Sequence, residues 1–221
     1  MNQLEVLSLI ASGRATWIWV PLVGGIEVMA RPVMLDSVFL SVSARTASAC
    51  AASLNRNGWM VSLTTPKIED LIYEHATARP EPVLFDPERI EISSIEAVAE
   101  HSAMLLQRLA GTRRDALVAC GKNWVLCNAM LEHPGYAATY GMFSAAAPYC
   151  GANGAYRLWQ PLSLEHHIDY WDHSQLLRLA RRRPGTALPS YDEPLRVFEL
   201  VRATVGESLR DFGSNGVRAG A

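Results

Sequence analysis

Short apolar runs, each ended within a few residues by proline or glycine, constrain this chain most. Trp17–Leu22, Ile26–Met29 and Ser37–Val42 are rich in Val, Ile and Trp, and Pro21, Gly24–Gly25 and Pro32 punctuate them. Branched and aromatic residues in such short runs predict strands rather than helices. None reaches the roughly 20 apolar residues that a membrane-spanning helix requires. Met1–Ala11 fits a short helix ahead of them, without the pattern of a signal peptide: Glu5 precedes any basic residue and Arg14 interrupts the apolar run early. Synthesis in the cytoplasm is therefore expected, and a place in a particle such as a virion is compatible with it.

Helical signals follow. Ser43–Asn55 is rich in alanine and stops at Asn57–Gly58, and Trp59–Thr64 then reads as a strand. Thr65–Pro66 supplies an N-cap and a first-turn proline, with Ile68, Leu71, Ile72 and His75 on one face. Ser93 and Glu96 have capping-box spacing before a helical stripe from Ile95 to Leu109, which Gly111 ends. A third helix is expected from Gly121 to Glu132, with Trp124, Cys127, Asn128 and Leu131 on one stripe. Strands are expected at Ala137–Phe143, at Tyr156–Leu162 and around His173–Ala180, and a last helix from Asp192 carrying Val197, Leu200, Val201 and Leu209. The fold class is α+β, an antiparallel sheet packed with helices. One domain is expected over 1–213, with a strand-rich part at 1–64 and an enzyme-like part at 65–213, followed by a loose tail at 214–221.

Composition narrows the function. With 20 basic and 22 acidic residues the net charge is −2, which argues against nucleic acid as the main partner. A hydrophobic fraction of 49% excludes an extended disordered chain. The four cysteines, Cys50, Cys120, Cys127 and Cys150, form no Cys-x-x-Cys pair, so they read as free thiols rather than a structural zinc site. No cofactor is expected.

Several stretches could carry chemistry. Glu165–Ser174 holds three of the six histidines, His166, His167 and His173, with Asp169, Tyr170 and Asp172 between them. That spacing allows an acid–base cluster, or a metal site if His166, His167, Asp169 and His173 converge. A polar loop leading into a strand is the plainer reading. Cys120-Gly121-Lys122 at the start of the expected third helix would place a thiol beside an ammonium and the positive helix end, both of which favour the thiolate. Lysine is scarce, Lys67 and Lys122 being the only two, which singles out Lys122. A phosphate loop is rejected, since Ala116 and Asn123 stand where it needs Gly and Ser or Thr. Arg178 and Arg181–Arg183 form a short basic run that reads as a solvated strand end or an anion contact. Tyr140-Gly141 and Trp159-Gln160-Pro161 are aromatic strand pieces that a sugar- or peptide-binding face could use.

These residues carry a resemblance. From Thr65-Pro66-Lys67-Ile68-Glu69-Asp70-Leu71-Ile72 to Leu188-Pro189-Ser190-Tyr191-Asp192 the chain resembles an uncharacterised family of bacterial and phage proteins. The matching pieces are Lys122 with Val125-Leu126 and Asn128; Tyr140-Gly141; Gln160-Pro161-Leu162 followed by His166; and Tyr170, Asp172, Ser174, Arg178 and Leu179. The resemblance implies binding roles for Lys122, Tyr140, Gln160, Tyr170, Ser174 and Arg178. Members commonly carry histidine where this chain has Phe143 and Gln175. In the order of its C-terminal half the chain is also similar to papain-like and NlpC-like cell-wall cysteine peptidases. That similarity implies Cys120 as nucleophile, His173 as its base, and His166 or Asp172 as the supporting polar group. The expected function is a peptidoglycan-directed amidase or endopeptidase of bacterial or phage origin, degenerate where the family histidines are lost. The alternative is an inactive virion or assembly protein on an enzyme-like fold. Peptidoglycan or other proteins of an assembly would be the partners, a homo-oligomer among the forms allowed.

Overall fold

Three of the described helices open on a side-chain N-cap, Ser43, Thr65 or Ser94. A computed structural model describes residues 3–55, 57–86 and 88–205. Gln3–Ala11 forms α1. Ala15–Thr16 (β1), Trp19–Val23 (β2) and Ile26–Met29 (β3) follow. Gly24 and Gly25, at φ +54° and +79°, turn β2 back onto β3, a two-residue turn that only residues tolerant of positive φ close readily. Met34–Leu35 (β4) and Val38–Phe39 (β5) precede Ala44–Ser53 (α2), whose N-cap Ser43 accepts from the Thr46 amide. Met60–Leu63 is β6 and Pro66–His75 is α3, with Thr65 Oγ1 accepting from the Ile68 amide. Ile95–Arg108 is α4. Then come Lys122–Val125 (β7), a 3-10 turn at Asn128–Leu131, Tyr136–Phe143 (β8), Tyr149–Cys150 (β9), Arg157–His167 (β10), Leu179–Arg182 (β11) and Val197–Val205 (α5).

The strands form three antiparallel sheets, so the α+β class holds. One has the order β2-β3-β11-β6, a second β7-β8-β10-β9, and a small third β1-β4-β5. The C-terminal strand β11 inserts between β3 and β6, with Arg181 opposite both Glu27 and Val61. The strand-rich segment 1–64 therefore closes its four-stranded sheet with a strand from the other part of the chain. The two large sheets meet at β7, where Val125 bridges Thr64 and Lys122 bridges Gln175, both in parallel sense. One core runs through both, with Met29, Ile68, Ile72, Trp124, Tyr140 and Leu179 fully buried or nearly so. Each such apolar side chain contributes about 1.5–3 kcal/mol on burial. A smaller cluster of Phe39, Leu105, Leu109, Val118, Cys120 and Leu176 seats α4. Among the described residues no helix is long and apolar enough to cross a membrane.

The expected third helix is not there. Lys122–Val125 is a strand buried at all four positions, and only Asn128–Leu131 coils, as a single 3-10 turn. A strand covered on both faces shows no alternation of polar and apolar residues, so its sequence can mimic a helical stripe. The cap of α4 is Ser94, whose Oγ accepts from the Ala97 amide. Ser93 instead donates to the Trp171 carbonyl. The strand expected around His173–Ala180 begins only at Leu179, because 172–175 is held in a side-chain-bonded turn. The last helix starts at Val197 rather than Asp192, and Leu209 and the 214–221 tail lie outside the described residues.

Candidate functional site

The centre of the candidate site is an ion pair out of water. Lys122 on β7 donates from Nζ to Asp172 Oδ2 at 2.8 Å, and their side chains are 7% and 5% exposed. Asp172 opens a tight turn. Its Oδ1 accepts from the Ser174 amide at 2.8 Å and from Ser174 Oγ at 2.7 Å. Its own amide donates to Gln175 Oε1 at 2.9 Å, and Tyr170 Oη donates to Oδ2 at 3.4 Å. Burial alone would push this carboxyl up, but the Lys122 ammonium and the hydrogen bonds from Lys122 and Ser174 outweigh it and hold it below the usual carboxylate range. Lys122, Tyr170, Asp172 and Ser174 thus converge. Each carboxylate oxygen already has a partner.

Beside this pair lies a narrow crevice of about 10 Å3, room for about one water, lined by His101, Cys120, Gly121, Phe143 and Ser174 among others. Glycine at 121 and 141 lets the strands close on it. A Cβ on Gly141, at φ +138°, would stand 2.6 Å from the Gly121 carbonyl oxygen, and one on Gly121 would stand 2.6 Å from Leu176 Cδ1. Cys120 precedes a strand, so no helix end faces its thiol. Burial pushes that thiol up to about 11, against the field of the Arg178 guanidinium, whose Nη2 lies 3.9 Å from Sγ. At neutral pH the protonated thiol therefore dominates. The expected contribution of Lys122 is also absent, since its ammonium is committed to Asp172.

The contacts of the His173 ring are with residues other than Cys120. Its ring stacks on Phe85 with centroids 4.5 Å apart and meets His101 edge-on at 5.1 Å, and its Nδ1 lies 3.3 Å from the Ile92 carbonyl. Burial lowers its pKa, against the opposing field of Asp172. His166 is on β10, stacked on Tyr170 at 4.3 Å. The four residues of the metal reading do not converge either. His167 and Asp169 pair at the surface, and Asp169 is held by Arg45 at 2.6 Å. Gln160 lies opposite Gly141 in the β8–β10 register, and its amide donates to the Pro161 carbonyl. Among the described residues no group of three or more His, Cys, Asp or Glu side chains is arranged to hold a metal ion.

Arg178 is not on a solvated strand end. It is 1% exposed, donates from Nη2 to the Val118 carbonyl at 2.6 Å, and its Nε and Nη1 have no hydrogen-bond partner among the described residues. Tyr140 is fully buried, donates to Asp70 Oδ1 at 2.8 Å and accepts from the Ala152 amide at 2.7 Å.

Three polar residues of the interior escaped the sequence reading. Glu69 and Asp70 are 2% and 3% exposed, whereas His75, expected on the buried face of α3, is exposed. Glu69 accepts from Thr64 Oγ1 at 2.6 Å and Asn123 Nδ2 at 2.9 Å, and Asp70 accepts from Tyr140 and, at 2.7 Å, Tyr191. Burial raises both carboxyls. His101, 2% exposed, is driven down to about 3 by burial and by the neighbouring His173, and its Nδ1 has no partner. A helical stripe of polar residues carries no mark of burial by itself. The one available signal was that Glu69 and Asp70 lie within the Thr65–Ile72 segment of the family pattern. Compared with family models, curated proteins and solved structures, the chain matches none.

Proposed function

We propose that this chain is a non-catalytic interaction protein on an enzyme-like α+β fold, in its concrete form a component of a phage particle or its assembly. One observation carries the reading: the groups that would do chemistry are tied down. Lys122, Asp172 and Ser174 satisfy one another in the interior, and the Cys120 thiol is buried with its pKa raised to about 11. A nucleophile needs a base within hydrogen-bond reach and a thiolate at working pH. Exposed aromatic and aliphatic side chains on β9 and β10, Tyr149, Trp159 and Leu162, are of the kind that contact a partner.

A peptidoglycan-directed amidase or endopeptidase is the second reading. Its support is that Cys120, His101 and Ser174 line one crevice. The two separate in one experiment. Purified peptidoglycan is incubated with the wild type and with Cys120→Ser, with and without chelator, and new amino groups are measured. No release under any condition is the expected outcome. Release that disappears in Cys120→Ser would replace the interaction reading with the enzyme.

A further inference from the structure

Sharing no lining residue with the crevice, three of the chain's six tryptophans come together beside the β2-β3-β11-β6 sheet. Trp17, Trp19 and Trp59, with Leu54, Asn57 and Arg181, line a surface groove of about 140 Å3. The Arg181 guanidinium lies 4.8 Å from the Trp19 ring centre and 4.2 Å from that of Trp59, and the Arg183 guanidinium 3.9 Å from Trp59. Glu27 holds Arg181 through Nε at 2.7 Å and through Nη2. Alternating cations and rings of this kind fix both indoles in place. Trp17, like Trp19, packs on the core, but it has no ring or cation partner among the described residues and its indole lines the groove as an apolar surface.

The polar chemistry of the groove is one-sided. The indole N–H groups of Trp17, Trp19 and Trp59 and Nη1 of Arg181 have no acceptor among the described residues, unlike Trp124, whose N–H donates to the Val42 carbonyl. Glu27 pairs with Arg181, whereas Arg183, over the Trp59 ring at the groove's edge, bonds only the carbonyls of Asn57 and Gly58 and has no carboxylate partner among the described residues. The groove therefore offers a flat face, several donors and a surplus positive charge. A ligand with an apolar ring face, many acceptor oxygens and a negative charge complements all three. We propose that this groove binds an acidic saccharide, a pyranose bearing a carboxylate, stacked on Trp17 with its oxygens on the indole, Asn57 and Arg181 donors. The site is separate from the Cys120 crevice and holds whether or not that crevice is catalytic.

The test is a tryptophan-fluorescence titration of the full chain, checked by calorimetry, with three probes. They are a tetrasaccharide alternating glucuronate and N-acetylglucosamine, the neutral N-acetylglucosamine tetramer, and a proline-rich peptide. The acidic sugar is expected to bind saturably, about tenfold tighter than the neutral one and more weakly as salt rises. Trp17→Leu, which keeps apolar packing and removes the flat face, is expected to weaken binding about tenfold or more. Asn57→Gly is the second variant. Asn57 sits at φ +55°, a conformation glycine adopts freely, so this change removes the amide without straining the turn and should weaken binding severalfold. Circular dichroism confirms that both variants are folded. No saturable binding of the acidic sugar at about 10 mM overturns the proposal. So does unchanged affinity in folded Trp17→Leu, or binding of the neutral sugar or the peptide as tight as that of the acidic one.

Discussion

Replacing Lys122 by methionine tests whether the candidate site is a structural brace. The substitution keeps the length of the stem and deletes the charge. Asp172, 5% exposed at its side chain, would then be a buried carboxylate with no counter-ion. Breaking such a pair from one side costs about 3–5 kcal/mol. The lower end, about 3 kcal/mol, applies here, because Ser174 and Tyr170 still donate to the carboxylate. In a domain of this size that corresponds to a fall of roughly 6–12 °C in the thermal midpoint. The pH dependence gives a second readout. In the wild type the folded Asp172 pKa is depressed below 3.8, so its contribution is present above that value and is lost only as pH falls through the lower folded value. Without Lys122, burial raises the carboxyl instead. Acidification then neutralises Asp172 earlier and relieves the variant's penalty. Urea unfolding at pH 7 and about pH 4 should therefore show the gap between wild type and Lys122→Met narrowing on acidification. The double variant Lys122→Met/Asp172→Asn should recover much of the loss. A loss under about 1 kcal/mol at pH 7, or a gap independent of pH, would refute the brace.

Other outcomes follow from the same geometry. Of the four cysteines only Cys150 is exposed, so a maleimide reagent should label one thiol in the native protein and four after denaturation; rapid native labelling of Cys120 would restore the nucleophile reading. His101→Phe should reduce the loss of stability on acidification. The buried imidazole, at about 3 when folded, takes up its proton mainly on unfolding, and its stabilising effect is lost as pH falls from 6.5 toward that value. Equal acid sensitivity in urea titrations at pH 7 and 5 would contradict this. Glu69→Gln should become progressively more favourable relative to wild type as pH rises, because burial raises the Glu69 carboxyl and its ionisation weakens the fold; a parallel pH profile by thermal melting would count against it. Gly141→Ala should cost at least about 2 kcal/mol, since its Cβ would stand 2.6 Å from a backbone oxygen, and an unchanged melting temperature would show that β8 can shift.

What the sequence determined by itself was mostly local. The N-cap Thr65 and the Gly24–Gly25 turn were legible because a cap or a turn is satisfied within three or four residues. The α+β class followed from short strands and helices that are partly segregated along the chain. Part of the site was legible too, in Lys122, Tyr170, Asp172 and Ser174, though only as a pattern of residues and not as an ion pair. Tertiary structure decided the rest. Lys122–Val125 became a strand because it is enclosed between two sheets, and burial on both faces erases the periodicity by which a strand is read. The same enclosure turned Cys120 from an expected nucleophile into a buried thiol and brought Glu69, Asp70 and Arg178 inside. Trp17, Trp59 and Arg181 meet only because β11 returns across the chain to lie between β3 and β6. Contacts between residues more than a hundred positions apart leave no local trace, and the dielectric surroundings that set a pKa exist only once those contacts have formed.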